Sequence, residues 1–422
     1  MRKVFLMSAA ALALVACTSL SPEPPQAIKL LPAHGNTEFE LFTHDTRQTF
    51  RGDALTVGDS NRATTLNVSS AQLELSWHDS RRAGVDVQFK RPQNLELYRS
   101  GAYVFDLQIE QLINGGFDLT RLCDGGCERS VMLGNQVAPL VKQGPHTVAL
   151  PMSCVVRESD SLLAQAAAPL QLRTSGTGKL TLSDLRIEPS IPNADIVFEC
   201  PDYQTVSVTP APLDTYWSKS WWLPRHEQKL KAAKASDPQL VFLGDSITQS
   251  WERSGQSVYE QAFAPWPSLN LGFSGDRTEN VLWRLNHGEV DNINPELLVL
   301  MIGTNNTGHR QDEPAVIARG VEQILTELKQ RLPDTKVLML AIFPRGATAD
   351  DYARRNNTLA NARLRNFADG ERVFFADLNS VFLDKNGNLT EEIMPDLLHP
   401  NEYGYQLLAN ELVPLIRKHM DR

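Results

Sequence analysis

The sequence predicts two domains of different classes: an all-β sandwich or jelly roll over residues 45–190, and an α/β domain with a parallel sheet over residues 216–422. Short segments in the first region alternate apolar and polar residues between Gly, Asn, Asp and Pro, a pattern typical of sandwich strands. The second region alternates near-continuous apolar runs with helical patterns, which indicates a parallel sheet covered on both faces. A chain of 422 residues that is 42% hydrophobic is large enough for two cores.

The amino terminus predicts an export signal over residues 1–16. Two basic residues precede an apolar run that is shorter than the ~20 residues of a membrane-spanning helix. The run ends in "LVAC", which resembles the bacterial lipobox. The resemblance implies cleavage before Cys17, diacylation of its thiol and, because Thr18 follows, anchoring to the outer membrane at the periplasmic or surface face. Residues 17–44 would be a lipidated, Pro-rich spacer, and an ordinary signal peptide is the alternative.

Charge and cysteine content limit the partners of the chain. A net charge of −9 without a Lys/Arg-rich block argues against nucleic acid. Beyond Cys17 four cysteines remain, and an exported protein can oxidise them. They allow three pairings, of which the short spacing favours Cys123 with Cys127, leaving Cys154 with Cys200. A metal site is the competing interpretation, but no His lies beside the close pair, and we expect neither a metal nor a cofactor.

The first domain contains the stretches "YVFDLQI", "LCDGGCERSVMLG", "HTVALPMSC" and "AAPLQLRTSGTGKLTLSDLRI". They resemble the galactose-binding-like β-sandwich at the carboxyl terminus of some bacterial family 3 exo-glucosidases. The resemblance implies a carbohydrate-related accessory module, whereas a sandwich that only packs against the second domain is the alternative. Trp77, Tyr98 and Tyr103 are candidates for stacking on sugar rings, and each fits a core position equally well.

Polar motifs follow the predicted strands of the second domain, which begins after a Pro-rich linker over residues 191–215. "GDSIT" follows the first strand, "GFSGDRT" the second and "GTNN" the third, while "DLLHP" precedes the last helix. The ligand site of such a sheet lies beyond the carboxyl ends of its strands, so we expect these motifs at one edge. One Ser, a Gly turn, an Asn amide, and an Asp and a His three residues apart are groups used in acyl transfer.

Ser246 is the candidate nucleophile. A serine hydroxyl reacts only when a neighbouring base takes its proton, and His399 can be that base. Asp396 can hold the imidazole in the required tautomer. On its own, "GDS" is also a common helix start at which Ser merely caps the helix. Ser274 is a rival nucleophile, although "GFSGD" lacks one residue of the G-x-S-x-G elbow.

Negative charge on the attacked carbonyl oxygen requires hydrogen-bond donors. The candidates are the backbone N–H groups of Ser246 and Gly275 and the side-chain amide of Asn305. A glycine at position 275 would expose its N–H without a Cβ in the way of the substrate. No nucleotide-binding Gly-rich motif accompanies these residues.

The four ordered motifs, together with "FPRG" at residues 343–346, resemble the SGNH (GDSL-type) hydrolases, and within them the platelet-activating-factor acetylhydrolase Ib type. The resemblance covers about residues 235–420 and implies a flavodoxin-like three-layer fold and hydrolysis of short-chain esters. We therefore expect a serine esterase that removes acetyl groups from a carbohydrate or another small ester, with membrane contact through the lipid anchor alone. A lysophospholipase or lipid acetylhydrolase is the enzymatic alternative. The second alternative is a glycan-binding surface lipoprotein with secondary hydrolase activity.

Overall fold

The computed structural model describes most of the chain from residue 25 onward. Cys17 and the predicted signal sequence lie outside the described residues. The described ranges are 25–31, 36–43, 46–50, 54–58, 63–69, 72–113, 116–123, 127–156, 165–215 and 217–420.

The first domain is all β apart from short helical turns, one of which is α1 (Gly134–Val137). Its described strands form one continuously hydrogen-bonded set of twelve. They are β1 (Ile28–Lys29), β2 (Thr37–Thr43), β3 (Thr46–Thr49), β4 (Ala54–Val57), β5 (Thr64–Val68), β6 (Gln72–Phe89), β7 (Ala102–Ile113), β8 (Phe117–Cys123), β9 (Cys127–Met132), β10 (His146–Pro151), β11 (Leu170–Glu188) and β12 (Ile196–Val197).

Two long strands, β6 and β11, connect two halves of this sheet. The first part of β6 pairs with β5, and its second part pairs with β2. Correspondingly, β11 pairs first with β8 and then with β7. Register shifts around Gly176, together with left-handed backbone at Asp79, mark the point where both strands change partners. Side chains from both halves meet in a single apolar core, as in a sandwich.

The sheet extends beyond the predicted limits of the domain. The expected spacer over residues 17–44 contains β1 and β2, because Phe39 and Leu41 alternate with polar residues and are buried in the core. The expected linker over 191–215 contains β12, which pairs with β10. The sequence pattern also predicts separate strands at "AQLELSW" and "VDVQFK", but both belong to β6.

The aromatic candidates for sugar stacking are core residues. Trp77 is 3% exposed, Tyr98 6% and Tyr103 0%. The indole N–H of Trp77 donates to the carbonyl of Ser175 at 2.8 Å. The hydroxyl of Tyr103 donates to the carbonyl of Pro169 at 2.7 Å. These rings therefore stabilise the sandwich and are not accessible to a glycan.

The second domain has a five-stranded parallel sheet in the order β14-β13-β15-β16-β17. Its strands are β13 (Leu240–Gly244), β14 (Ser268–Gly272), β15 (Leu297–Met301), β16 (Lys336–Leu340) and β17 (Val373–Ala376). The helices are α2 (Trp222–Ala235), α3 (Ser246–Gln249), α4 (Gln256–Ala262), α5 (Thr278–Asn286), α6 (Pro314–Arg331), α7 (Tyr352–Leu364) and α8 (Glu402–His419), with a π-helix at Asn306–Arg310.

Alternate residues of each central strand point to opposite faces of this sheet. Val241 and Leu243 of β13 join a core with helices α5, α6 and α7. Leu240 and Phe242 join a second core with α4 and α8. Both faces are thus covered, which explains the near-continuous apolar runs of the sequence. Among the helices in the described ranges, none is both long and apolar enough to cross a membrane.

The segment between the two domains is bonded to both. Cys200 forms a disulfide with Cys154 of the first domain. Further along, the hydroxyl of Ser207 donates to the carbonyl of Val316 in α6 at 2.8 Å, and the amide of Asn280 in α5 donates to the carbonyl of Ala211 at 2.9 Å. The predicted linker is therefore a packed connection and not a free spacer.

The other predicted cysteine pair lies on a hairpin. The register of β8 and β9 places Cys123 opposite Cys127. Their side chains lie outside the described part of the structure, so this pairing stays a prediction.

Replacing Trp77 tests its role in the core. Trp77→Ala should lower the free energy of unfolding by about 3–5 kcal/mol, because it leaves a cavity. Trp77→Phe should cost less, since it keeps one six-membered ring in the core and loses the rest of the indole together with the bond to Ser175. Urea unfolding measures both, with Leu97→Ala as control because Leu97 is 70% exposed. An unchanged stability of the Trp77→Ala protein would contradict a core role.

Candidate active site

Ser246 lies in the tight turn from β13 into α3. The residue before it, Asp245, is the helix cap, because its side chain accepts a hydrogen bond from the backbone N–H of Ile247 at 3.0 Å. The hydroxyl of Ser246 is thereby left for another partner. That partner is Nε2 of His399, at 2.8 Å.

The His399 imidazole lies between the serine and a carboxylate. Its Nδ1 is 2.6 Å from Oδ2 of Asp396, so the ring donates here and Nε2 can accept the serine proton. The other oxygen of Asp396 accepts from the backbone N–H groups of His399 at 2.7 Å and Leu398 at 3.1 Å. Partial burial raises the pKa of Asp396, but these hydrogen bonds outweigh it and lower that pKa below its ordinary value. The carboxylate is therefore ionised and holds the ring in one orientation.

A strained turn brings Asp396 and His399 together. Leu397 between them has a φ of 56°, a left-handed backbone conformation that residues other than Gly rarely adopt. Its backbone N–H donates to the carbonyl of Met394 at 2.8 Å, and its carbonyl accepts from the backbone N–H of Gly346 at 3.0 Å. These bonds maintain the turn, which lets two residues so close in sequence face each other.

Gly275 follows β14 at the same edge of the sheet. Its φ of +81° favours glycine, and a Cβ would lie 2.0 Å from Cη2 of Trp217. The left-handed backbone and the packing of this indole therefore both favour glycine at this position. None of the described groups accepts a hydrogen bond from the backbone N–H of Gly275 or Ser246, so both remain available as donors.

Asn305 follows β15, the third strand at this edge. Its amide donates one hydrogen bond to the carbonyl of Asp276 at 3.0 Å, and its second N–H has no partner among the described residues. The side chain of Asp276 in turn accepts from the indole of Trp222 at 2.6 Å and from Nε of Arg284 at 2.8 Å. The orientation of Asn305 therefore depends on a buried network that does not itself touch the serine.

Arg284 is the centre of that network. It is fully buried and pairs with Asp276 and Glu289. Its Nη atoms also approach the carbonyls of Leu271 at 3.3 Å and Gly244 at 3.4 Å, at the ends of β14 and β13. Burial lowers the pKa of Arg284, but its two carboxylate partners outweigh this and raise it, so the guanidinium is charged.

Asp245 is a second buried carboxyl group. It has no exposed surface, and its Oδ2 has no hydrogen-bond partner among the described residues. Burial, reinforced by Asp276, raises its pKa to about 7, while Arg345 opposes the shift.

The structure thus brings together Ser246, Asp396 and His399 in one hydrogen-bonded chain, with Gly275 and Asn305 at the adjoining strand ends. Ser274 is not part of this chain. Its backbone N–H donates to the side chain of Gln249 at 2.7 Å, and no histidine in the described ranges is bonded to it. Those ranges also contain no cluster of three His, Cys, Asp or Glu side chains that could hold a metal.

Two residues beside the site were not found from the sequence. Trp217 lies in the connecting segment, where no pattern connects it with Gly275. Arg345 follows β16, and its Nη1 donates to the carbonyl of Thr304 at 3.1 Å. The rule that ligands bind beyond the carboxyl ends of strands would have identified Arg345 in "FPRG".

The chain is similar to two described families. Residues 242–407 match the GDSL-like lipase/acylhydrolase family, and residues 40–187 match a galactose-binding domain-like family. Subunit alpha1 of platelet-activating factor acetylhydrolase IB from Homo sapiens is 30% identical over 210 residues, which cover 49% of this chain and 87% of that protein.

Two solved structures align with parts of the chain. A GDSL-like lipase from Bacteroides thetaiotaomicron aligns with a TM-score of 0.39 and 19% identity, covering 46% of this chain and 97% of that one. The extra carboxyl-terminal domain of an exo-1,3/1,4-beta-glucanase from a Pseudoalteromonas species aligns with a TM-score of 0.34 and 17% identity, covering 42% and 99%.

The raised pKa of Asp245 makes stability depend on pH. The folded state keeps the carboxyl proton up to about pH 7, whereas the unfolded chain loses it near pH 4. The stabilisation of the folded state by this retained proton is fully present below about pH 4. It is lost as the pH rises to about 7, at ~1.4 kcal/mol per unit of pKa shift. Asp245→Asn retains a capping oxygen and cannot ionise. We expect the variant to gain stability over the wild type between pH 5 and pH 8, measured by urea unfolding.

Comparison with a matched variant isolates the effect of burial. Asp350→Asn also removes an aspartate carboxylate, but at an exposed position. Its stability relative to the wild type should stay constant across the same pH range. If Asp245→Asn shows the same constant difference, the buried carboxyl does not retain its proton.

Proposed function

The chain belongs to the GDSL-like lipase/acylhydrolase family and is a hydrolase that acts on esters, and from this premise we propose that it is a serine esterase for acetylated carbohydrates. The observation that carries the proposal is the hydrogen-bonded chain from Ser246 through His399 to Asp396. Such a chain activates a serine hydroxyl for attack on an ester carbonyl.

In the proposed reaction, the oxygen of Ser246 attacks the ester carbon while Nε2 of His399 takes the hydroxyl proton. The imidazolium that forms is stabilised by the ionised Asp396. Collapse of the tetrahedral intermediate transfers the proton from His399 to the leaving alcohol and leaves an acyl-serine. A water molecule, deprotonated by the same imidazole, then hydrolyses the acyl-serine and releases the carboxylic acid.

The oxyanion of each tetrahedral intermediate needs donors. We assign this role to the backbone N–H groups of Ser246 and Gly275 and to the free N–H of Asn305. All three follow neighbouring strands of the sheet, and Asp276, which accepts hydrogen bonds from Trp222 and Asn305, holds their surroundings in place. Preorganised donors of this kind are worth about 3 kcal/mol each in transition-state stabilisation.

Two lines of support favour an acetyl ester on a sugar. The name of the human relative specifies an acetylhydrolase, and the first domain matches a galactose-binding domain-like family. A lipid acetylhydrolase is the second candidate, because the substrate in that relative's name is a platelet-activating factor.

We extend the proposal to the fold class of the second domain and to the cellular location of the protein. We propose that the second domain has a flavodoxin-like three-layer fold, and the position of its first strand between the second and third supports this. We also propose that the "LVAC" sequence makes Cys17 the lipidated amino terminus of an outer-membrane protein.

Removing the Ser246 hydroxyl should abolish hydrolysis of p-nitrophenyl acetate. Ser246→Ala is expected to lower kcat by a factor on the order of 10⁶, as for other serine nucleophiles. Ser274→Ala is the matched control, since it removes a hydroxyl from the same edge of the sheet and should leave kcat within twofold, roughly the effect of a neutral substitution. Retention of activity in a folded Ser246→Ala protein would refute the assignment.

The wild-type enzyme distinguishes the two substrate classes. It should release acetate from acetylated xylo-oligosaccharides with a higher kcat/KM than from an acetylated lysophospholipid. The opposite order would favour the lipid acetylhydrolase.

Cys17→Ser tests the proposed anchor. Without the thiol no diacyl group can be attached, so the variant should leave the membrane fraction or keep its signal sequence. Fractionation and mass spectrometry of the amino terminus measure both outcomes, with Thr18→Ser as control. Unchanged processing and membrane association of the Cys17→Ser protein would exclude lipidation.

A further inference from the structure

A cleft of about 360 Å³ lies between the two domains, next to the candidate active site. The sandwich contributes Arg82 and Arg173, the connecting segment contributes Trp217, and the α/β domain contributes His309 and Arg345. Its volume is at the low end of the range for small-molecule sites. A ligand in this cleft would contact both domains at once.

Positive charge predominates in the lining. Among the described residues around the cleft are five arginines, but only two carboxylates, Asp118 and Glu279. Glu279 bonds to Arg277 at 2.7 Å and to Arg310 at 2.5 Å. Burial raises the pKa of Glu279, but the two arginines outweigh it and lower the pKa to about 2. Asp312 also pairs with Arg310, at 2.6 Å, so the two carboxylates balance the charges of the two arginines.

Arg82 and Arg345 are not bonded to a carboxylate in this way in the described part of the chain. Nε of Arg82 is buried without a hydrogen-bond partner in the described part of the chain, and its guanidinium lies 5.6 Å from the centre of the Phe42 ring. Arg345 bonds to the carbonyl of Thr304, and neither arginine has a carboxylate oxygen within 4.0 Å in the described ranges. Burial lowers the pKa of the Arg345 guanidinium, and the carboxylates of Asp245 and Asp396 only partly oppose this shift.

His309 does not add to this charge. Its ring lies 6.0 Å from that of Trp217, edge to face. Burial, together with Arg277 and Arg345, lowers its pKa to about 3, so the imidazole is neutral and can exchange hydrogen bonds with hydroxyl groups.

Two residues of the cleft lining, Trp217 and Arg345, lie beside groups of the candidate active site. Trp217 packs directly on Gly275, a candidate oxyanion donor. Arg345 precedes Gly346, whose backbone N–H donates to the carbonyl of Leu397 in the turn between Asp396 and His399. A substrate with its ester at Ser246 would therefore extend its alcohol half into the cleft.

We propose that this cleft binds a sugar unit that carries a carboxylate, as the alcohol half of the acetyl ester. The inference rests on the proposed esterase function and specifies its substrate. Arginine matches the two oxygens of a carboxylate with its planar fork, and an indole provides a flat face for a sugar ring. Arg82 would then make the sandwich part of the substrate site rather than only a support.

Equilibrium binding tests the proposal separately from catalysis. The probes are trigalacturonate and its neutral counterpart, galactotriose, titrated by calorimetry into the full chain carrying Ser246→Ala, which binds without turnover. We expect trigalacturonate to bind at least tenfold more tightly. Adding Arg82→Ala should reduce that affinity about tenfold or more, the loss of one charged hydrogen bond. Adding Arg82→Lys, which keeps the charge and loses the fork, should have an intermediate effect.

Arg99→Ala is the matched control, because Arg99 pairs with Glu96 on the sandwich surface and does not line the cleft. It should leave the affinity for trigalacturonate unchanged. Equal affinity for the two trisaccharides, or no effect of Arg82→Ala in a protein with an unchanged melting temperature, would overturn the proposal. Tighter binding of lysophosphatidate than of trigalacturonate would also overturn it, since the charge would then serve a lipid phosphate. Hydrolysis of p-nitrophenyl acetate by the wild type is measured in parallel, and its absence would refute the esterase function but not the binding site.

Discussion

The buried guanidinium of Arg284 is the interaction on which the active-site edge depends. It joins α5 to the ends of β13 and β14 and to the carboxylates of Asp276 and Glu289. A charge without contact to water is tolerated only where its hydrogen bonds are satisfied, so these elements have one compatible arrangement. Ser246 and Gly275 follow those two strands, and Asn305 is bonded to the backbone of Asp276. The position of each candidate oxyanion donor therefore depends on the Arg284 side chain.

His399 and Asp396 are much more accessible than this network, whereas Ser246 is only 8% exposed. The side chains of His399 and Asp396 are 35% and 55% exposed, whereas those of Arg284 and Asp276 are fully buried. Such a division suits a hydrolase, because water must reach the acyl-serine while the donors must not move when charge develops. The strain at Leu397 lies on the exposed side, where hydrogen bonds to the neighbouring loop maintain it.

The connection between the domains adds a second constraint. Bonds from Cys200 to the sandwich and from Ser207 to α6 fix both ends of the segment that leads to Trp217. The sandwich approaches the α/β domain closely enough for Sδ of Met132 to lie 3.8 Å from Nη2 of Arg277. A cleft built from both domains follows from this packing, since neither domain alone supplies the whole lining.

The class of each domain and the candidates for the reaction can be predicted from the amino-acid sequence, because both depend on short-range patterns. Apolar runs and alternation depend on neighbouring residues, and the parallel sheet places "GDSIT", "GFSGDRT" and "GTNN" at one edge whatever the packing. The folded structure was needed to show that Asp245 rather than Ser246 caps α3, that Trp217 contacts Gly275 and that Arg82 and Arg345 line the same cleft. These contacts join residues that are separated in sequence or compete for one partner. Burial and three-dimensional proximity select them, and neither is encoded in a local pattern.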